Sequence, residues 1–218
     1  MLESVVIETA PSPDAAVIWL HGLGADGYDF VPIVRALRLP EDLRIRFIFP
    51  HAPVRPVTIN GGMKMRAWYD IRTANLLEDV DREGIREAQQ LVAGLIDREI
   101  ERGILPSRML LMGFSQGGVI ALECGVRYRP SINAIGMLSS YVALPDELPP
   151  ARSDSPSILL LHGTQDTLVP LTLAEIGRKH LEELGYRVTW RYFVMGHEVR
   201  PEEVEYLRRW LLESLQVS

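Results

Sequence analysis

The chain has 218 residues, 47% of them hydrophobic, with 29 acidic and 23 basic side chains and a formal net charge of −6. That is enough to bury one large core, and an acidic balance with no basic block argues against a nucleic-acid partner and against attraction to an anionic membrane. A single cysteine, Cys124, excludes an internal disulfide and suits a reducing compartment. The opening stretch MLESVVIETAPSPDAA lacks a basic start followed by a long apolar run, and no apolar run reaches a bilayer span. A cytoplasmic protein with no stable membrane insertion is expected.

Along the chain, short β-rich runs at 5–8, 16–20, 45–49, 109–112, 134–138, 158–161 and 188–193 alternate with helical patterns at 79–102, 116–127, 171–184 and 202–215. Several strands are apolar on both faces, as buried parallel strands are. In the first helix Val80, Ile85, Ala88, Leu91, Leu95 and Ile100 fall near one face. Gly103, Pro106, Pro130 and Gly185 supply stop signals. This alternation predicts an α/β fold: a single domain over residues 1–218, with a mainly parallel sheet and helices on both faces. Two stretches resist the pattern. RPVTINGGMKMRAWYD at 55–70 is rich in turn residues, and 145–156 carries four prolines. Ligands in such sheets sit beyond the carboxyl ends of the strands. The first stretch is therefore a candidate wall or lid, with Met65 and Trp68 lining an acyl pocket or, equally, packing as core.

One junction stands out. In LLMGFSQGGVIALECG an apolar strand stops at Gly113-Phe114, and Ser115 stands between Gly113 and Gly117 before a helix resumes. G-x-S-x-G between strand and helix is the nucleophile-elbow pattern. The bland alternative is a glycine-rich turn that lets strand and helix pack closely. A phosphate cradle is disfavoured, because neither the P-loop lysine nor the dinucleotide-binding glycine spacing is present.

A serine nucleophile needs a histidine base and an orienting carboxylate, in the chain order Ser, acid, His. Asp166, in HGTQDTLVP after the strand at 158–161, is the best acid. Its alternative role is a helix cap. Asp146 and Asp154 rank lower because no strand immediately precedes them. His197, in FVMGHEV before the last helix, is the best base. His162 precedes the acid and reads as structural; His180, in the charged stretch GRKHLEELG, reads as solvated surface. The turn His21-Gly22-Leu23-Gly24 frees backbone N–H groups, so the amides of Leu23 and Gln116 are the candidate oxyanion donors. A metal held by His21, His162, Asp166 and His197 is a weak rival, since no H-x-x-x-H or C-x-x-C spacing supports it. Cys124 and Met109, Met112 and Met137 read as core.

Taken together, LHGLGADGYDF, FPHAPVRPVTINGGMKMRAWYDI, GFSQGGVIAL, HGTQDTLVP and MGHEVRPEE resemble, over nearly the full length and in order, the carboxylesterase and acyl-protein thioesterase family of α/β-hydrolases, in a bacterial-type member. The resemblance implies Ser115 as nucleophile, Asp166 as acid, His197 as base, the N–H groups of Leu23 and Gln116 as oxyanion donors, and the Trp68 stretch as the border of the acyl site. It implies an α/β-hydrolase fold, no cofactor, a small-molecule ester or thioester as substrate and, for some members, a homodimer. Family members hydrolyse carboxylic esters, thioesters of acylated proteins and, in some cases, lysophospholipids. Ser139-Ser140, where relatives often carry a glycine after the serine, and Arg200, where many carry cysteine, depart from the pattern. A carboxylesterase for short- to medium-chain esters is the favoured reading. A thioesterase or lysophospholipase with the same triad is the alternative, and a non-catalytic binding module a distant third.

Overall fold

The computed structural model describes residues 2–216. Seven strands form one sheet: β1 (Ser4–Glu8), β2 (Ala15–Leu20), β3 (Ile45–Pro50), β6 (Met109–Phe114), β7 (Ala134–Leu138), β8 (Ser157–Gly163) and β9 (Val188–Phe193). Their order is β1-β3-β2-β6-β7-β8-β9. Only β1 runs antiparallel; the other pairs are parallel. β2 and β7 are buried at every position, which is why their sequences are continuously apolar rather than alternating. Edge strand β9 alternates half-buried and exposed positions over most of its length.

Side chains alternate across the sheet and define two cores. Ala16, Ile18 and Leu20 face one core with α2 (Arg82–Glu101), α3 (Gln116–Gly125) and α4 (Leu171–Glu183); Ala15, Val17 and Trp19 face the other with α1 (Val31–Ala36) and α5 (Pro201–Gln216). Asp81 caps α2, accepting from the Gly84 N–H at 3.2 Å. α5 also buries an acid: Glu203 is fully buried, neither carboxyl oxygen has a hydrogen-bond partner among the described residues, and burial pushes its pKa up to about 8. Among the described residues no helix is long and apolar enough to cross a membrane.

All seven expected strands are present. The differences are local. The 55–70 stretch, with Val54 before it, forms an antiparallel hairpin, β4 (Val54–Val57) and β5 (Met63–Arg66), paired from Val54↔Arg66 to Val57↔Met63 and turning through Gly61 and Gly62 at φ 64° and 77°. Helix α1 was not expected; it is six residues long and has proline in its first turn. His180 is half-buried rather than solvated, because its Nε2 bonds the Pro145 carbonyl at 2.9 Å and ties α4 to the proline-rich loop.

Register places the site. Leu20 pairs with Gly113, Gly113 with Met137, Met137 with Leu160 and Leu160 with Trp190. Leu23, Ser115, Asp166 and His197 all follow closely on this line, so their loops emerge from one carboxyl edge of the sheet.

Candidate active site

Between β6 and α3 the chain reverses on one residue. Ser115 has φ 53° and ψ −119°, a conformation that costs a non-glycine residue on the order of 1–3 kcal/mol and persists only where its surroundings over-determine it. Here they do. Its N–H donates to the Leu138 carbonyl at 2.8 Å, and its carbonyl accepts from the Gly118 N–H at 3.0 Å and the Ser140 hydroxyl at 2.8 Å. A Cβ on Gly117 would lie 2.4 Å from the Leu20 carbonyl oxygen, and one on Gly113 would lie 2.2 Å from the Gly117 carbonyl. The glycines are therefore required by backbone packed against backbone. Ser140, one of the departures from the family pattern, is a support beneath this turn.

Asp166 is buried, and its carboxylate is saturated. Oδ1 accepts from the N–H groups of Leu168 at 3.0 Å and Val169 at 2.9 Å; Oδ2 lies 2.7 Å from His197 Nδ1. Burial alone would raise its pKa, but the hydrogen bonds from His197, Val169 and Leu168 outweigh it and hold the group below the usual carboxylate range. The bond to Asp166 assigns the proton to His197 Nδ1 and leaves Nε2 as the basic nitrogen. Phe114 packs against that imidazole at 4.7 Å between ring centroids. His162 also approaches Asp166, at 3.6 Å. Its Nε2–H is spent on the Val169 carbonyl at 2.8 Å, and burial lowers its pKa and keeps it neutral, so the contact is no ion pair.

The turn after β2 is held from several sides. His21 Nδ1–H donates to the Gly22 carbonyl at 2.7 Å, and its Nε2 accepts from the Ala52 N–H at 3.0 Å. Burial drops its pKa to about 4, so the ring is neutral. Both ring nitrogens are engaged, and among the described residues no three His, Cys, Asp or Glu side chains gather as a metal site. The N–H groups of Leu23 and Gln116 have no intramolecular acceptor among the described residues. The Gln116 side chain, which sequence reasoning missed, accepts from the Trp68 N–H at 2.7 Å and donates to the Tyr69 carbonyl at 2.8 Å.

Ser115, Gln116, Leu23 and His197 all line one cavity of about 450 Å³. Its lining also includes Ile59, Tyr69, Ile71, Ala74 and Leu76 from the 55–76 region, with Tyr141, Leu168 and Val169. The Tyr69 and Tyr141 hydroxyls bond each other at 2.8 Å. This corrects the expectation for Trp68 and Met65, neither of which lines the cavity. Trp68 is fully buried behind it, with its indole N–H donated to the His21 carbonyl at 2.9 Å. Met65 belongs to the hairpin, where its sulfur accepts from Asn60 at 3.3 Å. A buried carboxylate–imidazole pair on the same cavity as a serine on a strained turn, with two main-chain N–H groups lacking intramolecular acceptors, is a set that can carry out acyl transfer.

Comparison with known proteins decides the family. A family model described as Phospholipase/Carboxylesterase matches residues 2–215. The chain belongs to the phospholipase/carboxylesterase family. As a member it is a serine hydrolase with the α/β-hydrolase fold. It is 34% identical to acyl-protein thioesterase 1 of Gibberella zeae over 97% of this chain and 95% of that protein. It is 30% identical to carboxylesterase SOBER1 of Arabidopsis thaliana over 93% and 91%. The crystal structure of SOBER1 superposes with a TM-score of 0.85 at 28% identity, covering 93% of this family member and 99% of that chain.

Proposed function

We propose that the protein is a serine carboxylesterase that hydrolyses short- to medium-chain carboxylic esters through an acyl-enzyme. His197 Nε2 takes the Ser115 proton as the hydroxyl attacks the ester carbonyl. The N–H groups of Leu23 and Gln116 stabilise the oxyanion, and loss of one such donor costs about 2.7–4 kcal/mol. His197 then protonates the leaving alcohol or thiol, and water repeats the sequence on the acyl-enzyme. Asp166 holds the imidazole tautomer and stabilises its cation without taking the proton. The Ser115 hydroxyl has no hydrogen-bond partner among the described residues; in this reading its bond to His197 tightens in the substrate complex, as is common for catalytic hydrogen bonds.

The observation that carries this reading is the 2.7 Å Asp166–His197 bond on the same cavity as Ser115. The acyl-protein thioesterase reading uses the same atoms and is favoured by the names of several relatives, among them the Gibberella zeae protein at 34% identity. A chain-length series of p-nitrophenyl esters beside an acyl thioester, run on wild type and Ser115→Ala, separates the two. Short esters should lead, and Ser115→Ala should lose roughly six orders of magnitude in kcat. Equal turnover by the two proteins would place the activity elsewhere. Failure of a fluorophosphonate probe to label Ser115 would favour a binding module instead.

A further inference from the structure

The lining of the cavity beside Ser115 is chemically uneven. Ile59, Ile71 and Leu76 make part of it apolar. The segment after β2 contributes Asp29, which is solvent-exposed and is the only Asp, Glu, Lys or Arg among the cavity-lining residues. The ring of its neighbour Phe30 lies 5.7 Å from that of Phe114, and Phe114 lies 4.7 Å from the His197 imidazole. These ring contacts join the residue next to Asp29 to the flank of the His197 imidazole, and Asp29 and His197 line the same cavity.

Position then gives role. The imidazole must hand its proton to the leaving atom, so the leaving group lies on the His197 side and the acyl chain lies toward the apolar residues. Asp29 makes no ion pair among the described residues. Asp26, three residues earlier, adds a second carboxylate to the same turn, and Asp29 is solvent-exposed while lining the cavity. The other carboxylate near the site, Asp166, is consumed by His197 and two backbone N–H groups.

We propose that Asp29 selects the leaving group by charge: the enzyme prefers esters and thioesters whose alcohol or thiol carries a positive charge, and rejects those with a negative charge close to the scissile bond. The inference rests on the esterase reading above. The chemistry is unchanged. The carbonyl C–S or C–O bond breaks as the bond to the Ser115 oxygen forms, and the serine proton passes through His197 to the departing atom.

Three butyryl thioesters with one acyl chain and different thiols test it: thiocholine, its uncharged carbon isostere and mercaptoethanesulfonate, followed by thiol release at low salt. Wild type should rank them cation, neutral, anion in kcat/KM. The extremes should differ by about tenfold, the scale of one charge acting across a partly wet cavity. Asp29→Asn should shrink that ratio to about threefold or less, and salt at about 0.5 M should shrink it in wild type. Flat wild-type ratios, or ratios that survive in Asp29→Asn, would overturn the proposal. Should that variant fail to fold, a wild-type ratio indifferent to salt would overturn it instead. The neutral thioester keeps the two readings apart. If it is turned over in a Ser115-dependent way with flat ratios, Asp29 alone is refuted; if none of the three is turned over, the esterase reading falls as well.

Discussion

The turn at Ser115 and the wall at residues 54–76 border the same cavity and differ in how tightly they are packed. At the turn, backbone lies against backbone: Gly117 has room for no Cβ, and the Ser115 amide and carbonyl are both bonded to neighbouring elements. The wall pairs with itself through the backbone, as in the Ile59 N–H donated to the Ile71 carbonyl at 2.8 Å, and side chains add much of its anchorage. Gln116 holds Trp68 and Tyr69, and the Asp70 carboxylate accepts from the Thr58 N–H at 2.7 Å and its hydroxyl at 2.6 Å. Arg72 bridges Asp79 and Asp81 at 3.0 and 3.2 Å. The region leaves apolar side chains in solvent, with Val54 60%, Ile59 44% and Met63 64% exposed, although of these only Ile59 lines the cavity. The difference separates two tasks: close main-chain packing fixes the geometry of reaction, while replaceable side chains shape what the cavity accepts.

The contrast breaks if the reacting half tolerates change. Asp166→Asn should cut kcat by about 10⁴-fold through the wrong imidazole tautomer, with the fold retained by circular dichroism; a loss below about tenfold would remove the orienting role from Asp166. Next in size is the buried acid beyond the His197 loop. Glu203 holds its proton in the folded state up to about pH 8, against an ordinary value of 4.5. As pH rises from 4.5 to 8 the unfolded chain ionises first, so folded stability falls across that window and the loss is complete above it. Denaturant titrations should show a decline of a few kcal/mol, and Glu203→Gln should flatten most of it. A residual slope remains from Glu123, whose pKa burial pushes up to about 7. An unchanged slope in Glu203→Gln would contradict the assignment.

Two smaller effects sharpen the comparison. Gly117→Ala drives a methyl to 2.4 Å from the Leu20 carbonyl oxygen and should cost about 1–3 kcal/mol or more, together with most of the turnover. Gly61→Ala in the hairpin has open space around it and bears only the strain of φ 64°, about 1 kcal/mol, with activity retained. Equal losses from the two would erase the distinction. Smallest of all, Ile71→Ala should leave stability within about 1 kcal/mol and move the preferred acyl chain longer, seen as a change in the ratio of kcat/KM along the ester series.

Legibility in the sequence followed the same divide. β2, β6, β7 and β8 could be read because both faces are buried, and the Gly113–Gly117 motif because main-chain crowding leaves glycine as the only choice. Asp166 and His197 were found through the strands before them. The hairpin was hidden because its strands are four residues each, Pro56 interrupts the first, and Val54 and Met63 leave apolar side chains exposed. Trp68 attracted attention by its bulk, but its indole N–H is committed to His21 and its ring to the interior. The Gln116 side chain left no local trace, because its partners lie 47 and 48 positions away in the chain.

Gln116 ties the two halves together: it lines the cavity of Ser115 with a main-chain N–H that has no intramolecular acceptor among the described residues, while its carboxamide grips the main chain of Trp68 and Tyr69. Descendants of this enzyme that shift the 68–69 backbone outward to admit bulkier acids disturb the amide beside the serine as well. Trimming Ile59, Ile71 or Leu76 carries no such penalty, so new diets should be acquired through these three positions while the ribbon behind them is inherited unmoved.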